Sequence, residues 1–199
     1  MANDAMTLAR DDDGEVARRC AAGDRLAQEQ VFRQLRTRVH RTLFRIMGSN
    51  RYLEDLLQDT FIEIFGSIRS FGGRSSLATW ADTIAARVAF RHLSQRKRWP
   101  LHLQAIEDVS AEERDPESQR LAKEAMRRLY AILDRIEPQY RIAYTLHVLD
   151  DRPMKEVAAI AGCSTIAVKN RIWRARGMVR SRALREPLLA KYIREDERP

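Results

Sequence analysis

Apolar residues recur at steps of three and four along most of this chain, and that spacing predicts helices. The clearest case lies near its middle. Leu53, Leu56, Leu57, Phe61, Ile64, Phe65 and Ile68 share one helical face, and Glu54, Asp55, Gln58, Asp59 and Glu63 occupy the other. The stretch Phe71-Gly72-Gly73-Arg74-Ser75-Ser76 then breaks the pattern with turn residues, one cation and two hydroxyls. A second helix follows with Leu77, Trp80, Ile84, Val88 and His92 along one side, and it ends in the basic run Arg96-Lys97-Arg98-Trp99 before Pro100. Upstream, Val16, Ala17, Cys20 and Ala21 mark a helix that Gly23 stops, and Asp24 is placed to cap the next. That helix runs from about Arg25 to Met47, with Leu26, Val31, Phe32, Leu35, Val39, Leu43 and Ile46 inward and Arg36, Arg38, Arg41 and Arg45 on its polar face. Gly48-Ser49-Asn50 turns the chain into the central helix.

Residues 107–117 carry six acids against one base, between Pro100 and Pro116, and show little periodicity. Such a block predicts an extended linker. A second helical unit begins beyond it. Leu121, Ala125, Leu129, Ile132, Leu133 and Ile136 form one stripe, and Pro138 restarts the chain at a helix's first turn. Val157, Ala158 and Ile160-Ala161 then lie on a short helix, Gly162 suits a left-handed turn, and Ser164 or Thr165 can cap a helix holding Ile166, Val168, Ile172 and Ala175. The pattern is a helix-turn-helix. No stretch alternates like a strand, so the expected fold is all-α, with two small helical domains. The expected divisions are a flexible tail at 1–14, a first domain at 15–99, a linker at 100–120, a second domain at 121–185 and a tail at 186–199.

Charge narrows the function. The net charge is +8 and the pI about 10.0, which favours a polyanionic partner. Between 169 and 185 there are seven bases and no acid. A recognition helix in the major groove presents long donors to base edges. Lys169, Arg171, Arg174 and Arg176 supply such donors, and Asn170 suits adenine. Trp173 either packs on sugars and thymine methyls or belongs to the core. The two cysteines, Cys20 and Cys163, lie far apart and read as reduced thiols without a disulfide or zinc site. The four histidines have no ligand spacing. No metal, cofactor or catalytic residue is expected: Asp55 and Asp59 could face one cation, but no partner acid or glycine-rich phosphate loop accompanies them. The absence of a long apolar run or a signal-peptide pattern predicts a cytoplasmic protein without membrane insertion.

Glu54-Asp55-Leu56-Leu57-Gln58-Asp59-Thr60-Phe61, followed by Phe71-Gly72-Gly73-Arg74-Ser75-Ser76-Leu77-Ala78-Thr79-Trp80, resembles region 2 of extracytoplasmic-function (ECF) sigma factors of the sigma-70 family. Val157–Arg176 resembles region 4 of the same family. The resemblance implies a factor that binds core RNA polymerase through its β and β′ subunits, recognises −35 and −10 promoter elements and helps to melt DNA. It also implies an anti-sigma factor as a further partner, and a linker threaded through the polymerase. It puts Glu54, Asp55, Gln58 and Asp59 against a basic coiled coil of β′. Arg74, Ser75, Ser76, Leu77, Trp80, Arg87 and Arg91 fall on the −10 strand, with Trp80 as a wedge or a core residue. Lys169, Asn170, Trp173 and Arg174 fall at the −35 reading positions, with Arg171 and Arg176 in the basic framework. Two departures stand out: Arg87 where the family often has Asn, and Ile166-Ala167 where it often has Gly-Thr. The other reading is a dimeric helix-turn-helix repressor or activator that binds duplex DNA without polymerase; it leaves residues 54–98 without a role.

Overall fold

The structure, a computed structural model, describes residues 2–96 and 116–195, with side chains from 12 to 95 and from 116 to 192. Among the described residues the regular structure is helical: α1 (Ala2–Ala21), α2 (Arg25–Met47), α3 (Leu53–Ser67), α4 (Leu77–Arg96), α5 (Pro116–Leu133), α6 (Pro138–Tyr144), α7 (Met154–Ala161), α8 (Thr165–Ala183) and α9 (Pro187–Glu195), with a 3-10 turn at Ile68–Ser70. The boundaries follow local chemistry. The Asp24 carboxylate accepts from the N–H groups of Leu26 and Ala27, at 2.9 and 3.2 Å, and starts α2. Gly48, at φ 68°, ends it. Ser164 caps α8 by accepting from the Ala167 N–H at 3.2 Å. Among the described residues no helix is long and apolar enough to cross a membrane.

Three expected irregular stretches differ. The tail expected up to Gly14 is helical from Ala2, because Val16, Ala17 and Cys20 bury one face of α1 and a helix once nucleated propagates cheaply. Residues 116–120, expected in the linker, open α5; Pro116 fits a first helical position. The tail expected from residue 186 instead contains α9, whose Leu189 and Ala190 are buried. The rest of the expected linker, 100–115, lies outside the described residues.

Helices α1–α4 pack around Val31, Leu35, Val39, Leu43, Leu57, Phe61 and Ile84. Helices α5, α6, α8 and α9 enclose a second apolar cluster around Leu133, Ile136, Tyr144, Ala175 and Val179. The first core does not stop at α4. It continues into Ile142 and Leu146 and into Val157 and Ile160 of α7, so the two bundles share buried apolar surface.

A polar clasp reinforces that junction. The Arg152 side chain donates to Asp82 (2.7 Å), to Thr42 Oγ1 (2.6 Å) and to Asp150 (2.6 Å). Asp82 lies on α4 and is fully buried; its carboxylate also accepts from Thr42 Oγ1 and from Arg38 of α2, both at 2.7 Å. Arg38 in turn donates to Glu156 of α7 at 2.7 Å. Burial alone would lower the Arg152 pKa, but the surrounding Asp82 and Asp150 carboxylates outweigh it and hold the guanidinium above its ordinary value. A π turn at Thr145–Leu149 delivers Arg152 to this place. The Asp150 N–H reaches back five residues to the Thr145 carbonyl, and Asp151 adopts a left-handed φ of 50°.

A second contact closes over the end of α2. Arg141, buried in α6, donates to the last α2 carbonyls, Ile46 O at 2.8 Å and Met47 O at 2.7 Å, and pairs with Asp134. The Tyr130 hydroxyl donates to Arg45 O at 2.7 Å. The second bundle thus satisfies helix-end carbonyls of the first, which otherwise lack partners. The Tyr130 ring lies so close to Gly48 that a Cβ there would come within 2.0 Å of it.

These contacts rank by how completely each is buried. Asp82→Ala should cost about 3 kcal/mol in denaturant unfolding, because it leaves Arg152 buried with fewer counter-charges. Tyr130→Phe should cost about 1 kcal/mol, the worth of one hydrogen bond. Gly48→Ala should cost more than Tyr130→Phe, because it adds both a clash with Tyr130 and a strained φ.

Candidate nucleic-acid interface

The first bundle presents an acidic edge. Leu53, Leu56, Leu57, Phe61 and Ile64 of α3 face the core, and this rotation leaves Glu54, Asp55, Gln58 and Asp59 exposed together. Glu54 and Asp55 occupy the first turn, where the helix dipole favours negative charge. Exposed Ile62 extends the edge by another turn. Among the described residues no group of three His, Cys, Asp or Glu side chains could hold a metal ion.

At the other end of α3 the loop Phe71–Ser76 leads into α4. Arg74 is exposed beside Gly73, whose φ is 65°. Ser76 is occupied with the helix start: its hydroxyl accepts from the Thr79 N–H at 3.2 Å and meets Thr79 Oγ1 at 3.0 Å. Ser75 donates to the Ser76 carbonyl at 3.2 Å. Leu77, expected on the −10 strand, is fully buried, and its N–H is held by the Asp13 carboxylate of α1 at 2.8 Å. Its side chain is a core anchor in this conformation. Trp80 is half-buried, edge-on to Phe71 at 5.5 Å, and packs against the first core. Arg87 is exposed on α4. Arg91 is exposed too, but is ion-paired to Glu63 of α3.

The second bundle presents a basic face. Val168, Ile172, Ala175 and Val179 of α8 are buried, which turns Lys169, Asn170, Trp173, Arg174 and Arg176 outward. Trp173 is 75% exposed, which settles the choice between core and surface in favour of surface. Arg174 is supported by the Tyr140 hydroxyl at 3.1 Å. Arg171 is half-buried and folds back to Cys163 Sγ at 3.4 Å, so it buttresses the turn between α7 and α8. The tight turn is set by Gly162, at φ 60°.

Sequence reasoning missed the junction between the bundles. Two signals pointed to it. Asp82 interrupts the apolar side of α4 between Trp80 and Ile84, and Arg141 precedes the apolar Ile142-Ala143 pair of α6. The arginines assigned to the polar face of α2 also proved to have partners there: Arg41 and Arg45 both lie within 3.6 Å of Asp150, while Arg38 joins the clasp.

Residues 31–98 match the family model for Sigma-70 region 2, and residues 126–179 match that for Sigma-70 region 4. The chain is 30% identical to the ECF RNA polymerase sigma-E factor of Escherichia coli K12 over 146 residues, covering 69% of this chain and 75% of that one. It is 27% identical to the ECF RNA polymerase sigma-E factor of Haemophilus influenzae over 190 residues, 89% and 97% of the two chains. Its fold is similar to CnrH solved in complex with the cytosolic domain of CnrY (TM-score 0.60, 20% identity, 87% of this chain and 98% of that one). It is also similar to the sigma factor RpoE of Bartonella quintana solved with the anti-sigma factor NepR (TM-score 0.53, 21% identity, 77% and 94%).

The exposed cations of α8 give a measurable electrostatic signature. Lys169→Ala combined with Arg174→Ala should weaken duplex binding and lower the magnitude of its log–log salt slope by about 2, if each cation neutralises one phosphate. Binding titrations at several salt concentrations measure both.

Proposed function

The chain belongs to the sigma-70 family of RNA polymerase sigma factors, in its ECF branch, and from that premise we propose which surfaces carry each part of transcription initiation. The acidic α3 edge, Glu54, Asp55, Gln58 and Asp59, docks on a basic helical surface of core RNA polymerase. The loop Arg74–Ser76 and the outer face of α4 with Arg87 hold the unpaired −10 strand, whose unstacking is offset by contacts to the extruded base. Arg91 serves there once it exchanges Glu63 for phosphate. Helix α8, with Lys169, Asn170, Trp173 and Arg174, reads the −35 duplex. The observation that carries this reading is that one chain turns both sets of side chains outward from folded cores. A dimeric repressor would need only the second set. Sigma factors act by binding, and the working parts proposed here need no enzymatic chemistry. An anti-sigma factor is a further partner in this reading, since the similar RpoE was solved bound to one.

The clasp adds a step. The two elements lie about 25 nucleotides apart, roughly 85 Å at the rise of B-DNA. A folded body of this chain length has a radius of gyration of ~16 Å. Both faces are exposed in the joined form, so either element can be met alone, but both cannot be met together. The bundles must part on a promoter, and the chain between Arg96 and Pro116 can span at most ~72 Å.

Asp55→Lys should abolish co-purification with core RNA polymerase while lowering the melting temperature by only a few degrees, since it places a cation in the first turn of α3; retained binding would remove Asp55 from the docking surface. Dyes placed at exposed positions 36 and 180 should move apart by tens of ångströms when core polymerase and promoter DNA are added. An unchanged energy-transfer signal in a complex shown to have formed would mean that the bundles stay joined.

A further inference from the structure

Two large apolar side chains on α8 stand free of the protein core. Trp173 is 75% exposed and Ile166 is 72% exposed, the two highest values for large hydrophobics among the described residues. Ile166 occupies the second position of α8, directly after Thr165, with Ser164 as the cap. Residues 166, 170 and 173 follow the steps of four and three that align side chains along one helical ridge. The ridge is therefore Ile166, Asn170 and Trp173, apolar at both ends with an amide between. Lys169, Arg174 and Arg176 surround it, and no acid occurs from 165 to 185. An apolar surface inside so basic a field fits a polyanion that also offers apolar groups. Duplex DNA does so in the major groove, through the 5-methyl group of thymine.

We propose that Ile166, together with Trp173, selects thymine by contact with its 5-methyl group, and that Ile166 is a specificity-determining residue of this chain. The proposal rests on the reading of α8 as the −35 helix. Selection works in two directions. A thymine methyl under Ile166 gains apolar contact. A guanine or cytosine edge there loses water from its O6, N7 or N4 groups with no hydrogen bond in return, because isoleucine has no donor or acceptor. The spacing sets the register. Four residues of helix advance ~6 Å, and base pairs advance ~3.4 Å. If Asn170 reads an adenine, the thymine read by Ile166 lies one or two base pairs away. Trp173, three residues beyond Asn170 on the other side, covers the next step or the sugar beside it.

The test removes a single methyl group. The full chain with core RNA polymerase first selects its −35 element from a randomised duplex library. Each thymine of that element is then replaced by deoxyuridine, which keeps every hydrogen-bonding group and lacks only the methyl. One replacement within two base pairs of the Asn170 contact should weaken binding about four-fold, the worth of one buried methyl. In Ile166→Ala the deoxyuridine penalty at that position should vanish. In Trp173→Ala it should persist there and vanish at a neighbouring thymine. Ile166 is exposed, and alanine favours helix, so this variant folds. If no deoxyuridine substitution has an effect, or if the penalty survives Ile166→Ala, the proposal is overturned. If the parent selects no element at all, the assignment of α8 to the −35 duplex falls, and the proposal falls with it.

Discussion

The arrangement of the molecule depends on a buried meeting of charges. Arg152, from the segment that links α6 to α7, lies against Asp82 of α4 with both side chains withdrawn from solvent. Neither charge would be tolerable there alone. Each is satisfied because Thr42, Asp150, Arg38 and Glu156 complete the network. Buried ion pairs add little net stability over an apolar contact of the same shape. They do demand one relative placement of their donors and acceptors, and here the partners come from two bundles. The clasp therefore fixes geometry more than it supplies affinity, which suits the parting proposed for it on a promoter.

The same logic separates the working faces from the junction. Helix α3 buries its leucines and leaves its acids outside; α8 buries Val168, Ile172 and Ala175 and leaves its cations outside. Neither face takes part in the clasp. Both faces stay exposed in the joined form, and what the clasp fixes is the distance between them. The Asp13 carboxylate, bonded to the first N–H of α4, adds α1 to the support of the loop between α3 and α4.

Much of this was legible in the sequence, because most of it is local. The caps at Asp24 and Ser164, the left-handed glycines 48 and 162 and the inward faces of α2, α3 and α8 all follow from spacing and residue type. The helix-turn-helix and the acidic edge were visible for the same reason. Periodicity could not tell whether an amphipathic helix's polar face meets water or another polar face. Arg38, Arg41 and Arg45 fall on the polar face of α2, and that face meets Asp82, Glu156 and Asp150, up to 118 residues away in the chain. Nor could periodicity show that the first N–H of α4, at Leu77, is held by Asp13 of α1, 64 residues earlier in the chain. The first turns of α1, before Glu15, and the whole of α9 were read as tails, because polar sequences take helix only when a few side chains find a tertiary surface.

The π turn at Thr145–Leu149 carries a consequence of a different kind. Such a turn is what a helix forms when it takes in one extra residue without breaking. Each helical residue rotates the chain by about 100°. Deleting one residue from this turn would let ordinary winding run through, and everything after it would swing round by that angle. Arg152 would then face away from Asp82, while the pairing of α7 with α8 would be untouched. One residue gained or lost inside this helix would thus strip the junction of its charged lock, while the Tyr130 and Arg141 bonds to the end of α2, which precede the turn, would stay in place.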